Sequence, residues 1–263
     1  MHVDSLAFRT DLALAALAGS EVDDHGDHIA VRTPDNPTYR WGNYLLLAEA
    51  PTADSLPQWQ DVFARTFPGV EHRAYGVATA HGTQGDLAAV AAAGFDAEAA
   101  TVMTATAVHE PPRPNREATY RRLTSDHDWE QQADLWASGE DVGSRDFVVR
   151  KVAGERRMTE VGEGAWWGAF RGDRLAASMG LVAAGPGLAR FQQVQTHPDA
   201  RGRGLAGTLV HEVSRYGFDE LGATTLVMVA DPDYLAIRIY RSVGFDDTET
   251  QLQAEWRPQT AAP

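Results

Sequence analysis

The sequence predicts a mixed α/β fold (an α+β mixed sheet) arranged as two tandem lobes. Three observations carry that expectation. Residues 188–221 read as a strand, a glycine-rich turn and a helix. The order strand, helix, strand, helix, Gly-Phe, strand runs through residues 29–108 and again through 188–256. Between them stands HEPPRPN, residues 109–115, whose three prolines in four positions favour neither helix nor sheet. The expected division is a first lobe at 1–110, a Pro-rich linker at 111–115, a second lobe at 116–258 and a loose tail at 259–263.

In the first lobe, Asp4 or Ser5 is placed to cap a helix that runs to about Ala18, with Gly19 as its stop. Residues 20–28 read as an acidic loop. Residues 29–33 and 43–48 read as strands, the second apolar enough to be central. A helix at 56–67, a strand at 73–79, a helix at 86–93 and a strand at 99–108 follow. His25 and His28 are the closest histidine pair, and they read as part of a solvated polar loop rather than a metal site.

In the second lobe a strand at 118–123 precedes Ser125-Asp126-His127-Asp128, a capping-box start for a helix through Trp136. An acidic loop containing Glu140 and Asp141 leads to a helix at 145–161. Strands at 165–170 and 175–183 flank the hairpin turn Arg171-Gly172-Asp173-Arg174. A strand at 188–196 enters the glycine turn, a helix runs from Gly204 to about Leu221, and a strand covers 224–229. Asp231-Pro232-Asp233 breaks that strand and caps a helix holding Tyr240. A closing strand ends near Trp256.

Composition narrows the function classes. Hydrophobic residues make up 43% of the 263, as in a globular chain. The net charge of -14 argues against a nucleic-acid surface. The acid excess is concentrated in residues 1–110, with 5 basic against 15 acidic side chains, so the half with the glycine turn is the less acidic. No cysteine is present, which removes disulfides, thiolate metal sites and a cysteinyl intermediate. No apolar run has the length of a membrane span, and nothing at the N-terminus reads as a secretory signal, so a cytoplasmic location is expected.

The turn itself carries chemistry. Arg201-Gly202-Arg203-Gly204-Leu205-Ala206 follows a strand and opens a helix. A glycine-rich turn at a helix start leaves several N–H groups unpaired and aimed one way, and the helix dipole adds to them, which suits a pyrophosphate. This run resembles the Q/R-x-x-G-x-G/A loop of the GCN5-related N-acetyltransferases, the GNAT superfamily. Ala236, Tyr240, Gly244 and Phe245 resemble that family's A-x-x-x-Y-x-x-x-G-F segment, and the likeness extends over about residues 115–257.

The resemblance implies direct acetyl transfer from acetyl-CoA, as co-substrate and without a metal, to an amine. It implies cofactor contacts at Arg201, Gly202, Arg203, Gly204, Leu205 and Ala206 and along the strand at Val194, Gln195 and Thr196. Asp233 stands where the family often has asparagine. Tyr240 stands where the family places its general acid. No carboxylate lies on the strand before the loop, so the general base stays open among Glu160, Glu163 and His197, with Gln193 or Gln195 able only to orient a water. One of Trp166 and Trp167 is a candidate to face the acceptor. The expected partner is a small-molecule amine, without nucleic acid or membrane, for a monomer or homodimer. The alternative is an acyl-CoA-binding sensor or scaffold without turnover.

The first lobe reads as a degenerate copy. AAVAAAGFDAEAATVM is patterned like RIYRSVGFDDTETQLQ, but its strand-to-helix link at 50–55 has no glycine and Val90 takes the tyrosine position.

Overall fold

The computed structural model describes residues 1–139 and 144–258. Two expectations, the acidic loop at Glu140 and Asp141 and the tail at 259–263, lie outside them. The chain forms two compact units. Unit 1 is Met1–Val102 together with the chain from Glu249; unit 2 is Met103–Thr248. The Pro-rich stretch at 111–115 thus falls inside unit 2 rather than between the units. The division cuts two strands, β5 (Asp96–Ala105) and β11 (Asp246–Trp256).

Unit 1 contains α1 (Leu6–Leu17), β1 (Glu21–Asp24), β2 (His28–Arg32), β3 (Tyr44–Leu47), α2 (Leu56–Thr66), β4 (Arg73–Val77) and α3 (Ala88–Ala92). Its sheet order is β1-β2-β3-β4-β11-β5. Ser5 caps α1, accepting from the Phe8 N–H at 3.4 Å, and Gly19 ends it at φ 91°. The expected acidic loop is in fact strand β1. Its side chains are mostly exposed and polar, so no hydrophobic alternation marks it. Pairing with β2 supplies its backbone bonds, and Arg32 bridges Glu21 at 3.0 Å and Asp23 at 2.5 Å. Charge on an edge strand also discourages further pairing. Leu45, Leu47, Phe63, Tyr75, Val90 and Leu252 form the main core of the unit.

Unit 2 contains β6 (Thr119–Arg122), α4 (Asp126–Ala137), α5 (Arg145–Glu160), β7 (Gly164–Arg171), β8 (Arg174–Ala183), β9 (Leu188–Thr196), α6 (Leu205–Asp219), β10 (Thr225–Ala230) and α7 (Ala236–Arg241), in the sheet order β10-β9-β8-β7-β6. Both halves of the Ser125/Asp128 capping box form. Leu209, Val210 and Val213 of α6 are fully buried against the sheet; each such side chain contributes about 1.5–3 kcal/mol.

The two units repeat one pattern. Each has a single strand-helix-strand crossover giving a parallel pair, β3-α2-β4 and β9-α6-β10, within otherwise antiparallel neighbours. Among the described residues no helix is long and apolar enough to cross a membrane.

Candidate active site

The site begins with one residue too many. Ser178 of β8 pairs with Gln195 and Gly180 with Gln192, so β9 holds an extra residue between those pairs. That residue is Gln193 at φ 48°, which is the one non-glycine positive φ among the described residues. A bulge bends its strand and raises the local twist. The parallel ladder with β10 accordingly covers only Leu188, Ala189 and Arg190 against Thr225, Leu226 and Val227. Beyond it the two strands part, and a cleft of about 770 Å³ opens between them.

The floor of the cleft is the turn into α6. Gly202 and Gly204 adopt φ 73° and 74°, which β-carbon-bearing residues avoid. Gly204 is the N-cap of α6 and supplies no side-chain cap, so the first-turn donors of Leu205, Ala206 and Gly207 remain available on the cleft side. A β-carbon on Gly204 would stand 2.6 Å from the Arg113 carbonyl oxygen. Arg113, Arg201 and Arg203 all line the cleft and form no ion pair among the described residues. Three guanidiniums without ion pairs beside free helix donors are a setting that suits an anion.

Tyr240 closes the far end. α7 holds it in the cleft wall, 5% exposed. Its hydroxyl makes no hydrogen bond among the described residues, and burial pushes the phenol well above its ordinary pKa, with Tyr234 adding to the shift. The phenol is therefore protonated throughout the neutral range.

Nearly all of the expected site residues converge here. Val194, Gln195, Thr196, Arg201, Gly202, Arg203, Gly204, Leu205, Ala206 and Tyr240 line one cleft. Asp233 does not. It is exposed in the turn before α7, where its N–H donates to Asp231 Oδ1 at 2.8 Å, and Leu235 rather than Asp233 is the N-cap of α7. The carboxylate that does line the cleft is Asp231.

The general-base candidates and the tryptophans also lie off the cleft lining. Glu160 pairs with Arg156 Nε at 2.8 Å. Glu163 sits in the exposed turn before β7. His197 accepts from the Asp199 N–H and has Arg174 Nη2 3.0 Å from its Nε2. Trp166 is fully buried over Gly180, and Trp167 packs on Tyr216 with ring centroids 5.6 Å apart.

Sequence reasoning missed the near wall of the cleft, which is Pro111, Pro112 and Arg113 of the Pro-rich stretch, and Leu135, Ser138 and Gly139 from the end of α4. Their only signal was proximity in the fold. At the His25/His28 pair the rings stack at 4.6 Å and His28 Nδ1 lies 2.6 Å from Asp27. Among the described residues no group of three or more His, Asp or Glu side chains is placed to hold a metal.

A splayed parallel strand pair thus meets a glycine turn and helix start in one cleft, with a buried tyrosine in its wall. Residues 167–256 match the FR47-like protein family. An uncharacterized N-acetyltransferase of Schizosaccharomyces pombe is 33% identical over 82 residues, which cover 29% of this chain and 50% of that protein. The match thus spans half the length of that relative.

Among solved structures, a GCN5-related N-acetyltransferase from Kribbella flavida has a TM-score of 0.66 at 14% identity, covering 95% of each chain. A functionally unknown conserved protein from Staphylococcus epidermidis has a TM-score of 0.72 at 10% identity, covering 90% of this chain and 94% of that one. A tandem GNAT protein from the clavulanic acid biosynthesis pathway, solved without AcCoA, has a TM-score of 0.58 at 14% identity, covering 97% of this chain and 95% of that one. The chain shares its fold with these solved structures over 90–97% of its length.

Proposed function

We propose that unit 2 binds acetyl-CoA and transfers its acetyl group directly to the amine of a small molecule. The observation that carries this reading is the convergence, in one cleft, of the α6 donors, three unpaired arginines and Tyr240. The residues fit the co-substrate. Leu205, Ala206 and Gly207 N–H groups with Arg201 and Arg203 would hold the pyrophosphate. The β9 main chain at Val194, Gln195 and Thr196, left unpaired by β10, would hold the pantetheine arm. A backbone N–H of the same stretch would stabilise charge on the thioester oxygen.

In the proposed step the amine nitrogen attacks the thioester carbonyl, the C–N bond forms and the C–S bond breaks. The amine gives up one proton to solvent water, and Tyr240 gives one to the departing sulfur and recovers one from water, so the step closes with no net change in protons. We keep residues 111–115 as the seam of the sequence repeat and assign no nucleotide site to the first copy, whose link at 50–55 lacks glycine and whose Val90 is buried in the core. A sensor or scaffold without turnover is the second reading. It is favoured by Glu160, Glu163 and His197 lying off the cleft lining.

Calorimetric titration with acetyl-CoA, beside Gly204→Glu, tests binding. One equivalent, abolished by the substitution, is expected. Turnover with a panel of small amines, reduced in Tyr240→Phe, then separates enzyme from sensor. Binding without turnover across the panel favours the sensor, and no binding removes both readings.

A further inference from the structure

The Pro-rich stretch reads as a passive linker in the sequence, yet it ends on a residue whose every polar group is used. Asn115 Oδ1 accepts from the Glu117 N–H at 3.1 Å and the Ala118 N–H at 3.0 Å. Its carbonyl accepts from the Tyr120 hydroxyl at 3.0 Å. These bonds fix the residue against the start of β6. Its two remaining donors both reach the phosphate turn. Asn115 Nδ2 donates to the Arg203 carbonyl at 2.9 Å. The Asn115 N–H donates to Thr208 Oγ1 at 2.8 Å, and that hydroxyl donates onward to the Gly204 carbonyl at 3.1 Å.

The Arg203 carbonyl is thus held from the linker side, and the Gly204 carbonyl is held both by the linker-bonded Thr208 hydroxyl and by the Thr208 N–H of α6 at 3.2 Å. A trans peptide is planar, and its C=O and N–H point in opposite directions. Holding the Arg203 carbonyl therefore sets the direction of the Gly204 N–H, and holding the Gly204 carbonyl sets that of the Leu205 N–H. Gly202 and Gly204, free of β-carbons, would otherwise let these peptides rotate. The Arg113 carbonyl, against Gly204, closes the remaining space on that side.

We propose that Asn115 is a positioning residue of the nucleotide site: it keeps the Gly204 and Leu205 N–H groups aimed into the cleft for the pyrophosphate. This rests on the reading that the cleft binds acetyl-CoA. It adds that the seam between the repeats is a working part of that site, so the affinity of unit 2 for the nucleotide depends on a residue outside the glycine motif.

The test uses Asn115→Ser in the full chain. A serine hydroxyl can still accept from the Glu117 and Ala118 N–H groups, but it is too short to reach the Arg203 carbonyl. Two ligands are titrated: acetyl-CoA, and S-acetylpantetheine, which lacks the pyrophosphate. The expected result is about tenfold weaker acetyl-CoA binding, the size of one lost hydrogen bond, with S-acetylpantetheine binding and the unfolding temperature near those of the unsubstituted protein. Thr208→Val, which removes the relay to Gly204, should give the same selective loss and carries the test if the serine variant does not fold. Unchanged acetyl-CoA affinity, or equal weakening of both ligands, overturns the proposal. If the unsubstituted protein fails to bind acetyl-CoA, the cofactor reading itself falls, an outcome separate from a variant that binds as tightly as its parent.

Discussion

The indole Nε1 of Trp136 donates to Glu155 Oε1 at 3.0 Å, tying α4 to a fully buried carboxylate on α5. Gln132 Nε2 donates to the other oxygen at 3.2 Å, and Lys151 Nζ lies 3.8 Å away. This pairing holds the end of α4, where Leu135 and Ser138 line the cleft. Glu155→Ala leaves both donors unpaired and should cost about 2–3 kcal/mol in urea unfolding at neutral pH. A cost below half a kcal/mol would mean that water replaces the carboxylate without loss.

The same group should give stability a pH slope. Burial raises the Glu155 carboxyl above its ordinary 4.5, against the pull of Lys151 and the two hydrogen bonds. The folded state then keeps a proton that the unfolded state has released. The stability this supplies is full below about pH 4.5 and is lost as pH rises through the folded value. Glu155→Gln should therefore lose less stability than its parent between pH 4.5 and neutrality. Parallel curves would show that the carboxyl titrates alike in both states.

The two turn glycines should respond differently to alanine. Both have positive φ, so each pays backbone strain of about 1 kcal/mol. A β-carbon on Gly202 meets nothing within 4 Å, whereas on Gly204 it meets the Arg113 carbonyl at 2.6 Å. Gly204→Ala should lose acetyl-CoA binding by at least tenfold more than Gly202→Ala. Equal losses would assign the whole effect to φ.

Tyr240→Phe removes only a hydroxyl from a buried ring. Acetyl-CoA affinity should be kept while kcat for a responsive amine falls by about two orders of magnitude, the scale of general acid catalysis. Because burial keeps the phenol protonated, the ratio of variant to parent rates should stay flat from pH 6 to 9. A ratio that changes steeply in that window would show the tyrosine ionising there.

Gln193 occupies the left-handed region at φ 48°. Gln193→Gly relieves that strain and should be neutral or stabilising by up to about 1 kcal/mol. Gln193→Val should be destabilising by more than that, because a branched β-carbon fits the region worst. Thermal unfolding of the pair checks the order; a valine variant as stable as the glycine one would rule out the bulge as strained.

What was legible in the sequence follows from physics at short range. The glycine turn could be read because only glycine adopts its φ values cheaply, and α6 because its apolar residues recur at helical spacing. The Ser125/Asp128 box was visible because capping acts over three residues. The bulge was not, since glutamine carries no signal for positive φ and the extra residue exists only relative to β8. Strand β1 was hidden by its charge. The α7 cap was misassigned because Asp231 satisfies the Asp233 N–H and draws that turn away from the helix start. The linker wall of the cleft rests on bonds between residues far apart in sequence, which no local pattern encodes.

The placement of β11 has a consequence for how the chain comes off the ribosome. Residues 252–256 pair with 77–73 in unit 1, and all of the sequence of unit 2 is translated between them. The sheet of the first-made unit is therefore finished last. Until then the edge of β4 is open for the time needed to synthesise everything in between, and a nascent or severed first half exposes a hydrophobic strand edge to chaperones, proteases and its own neighbours.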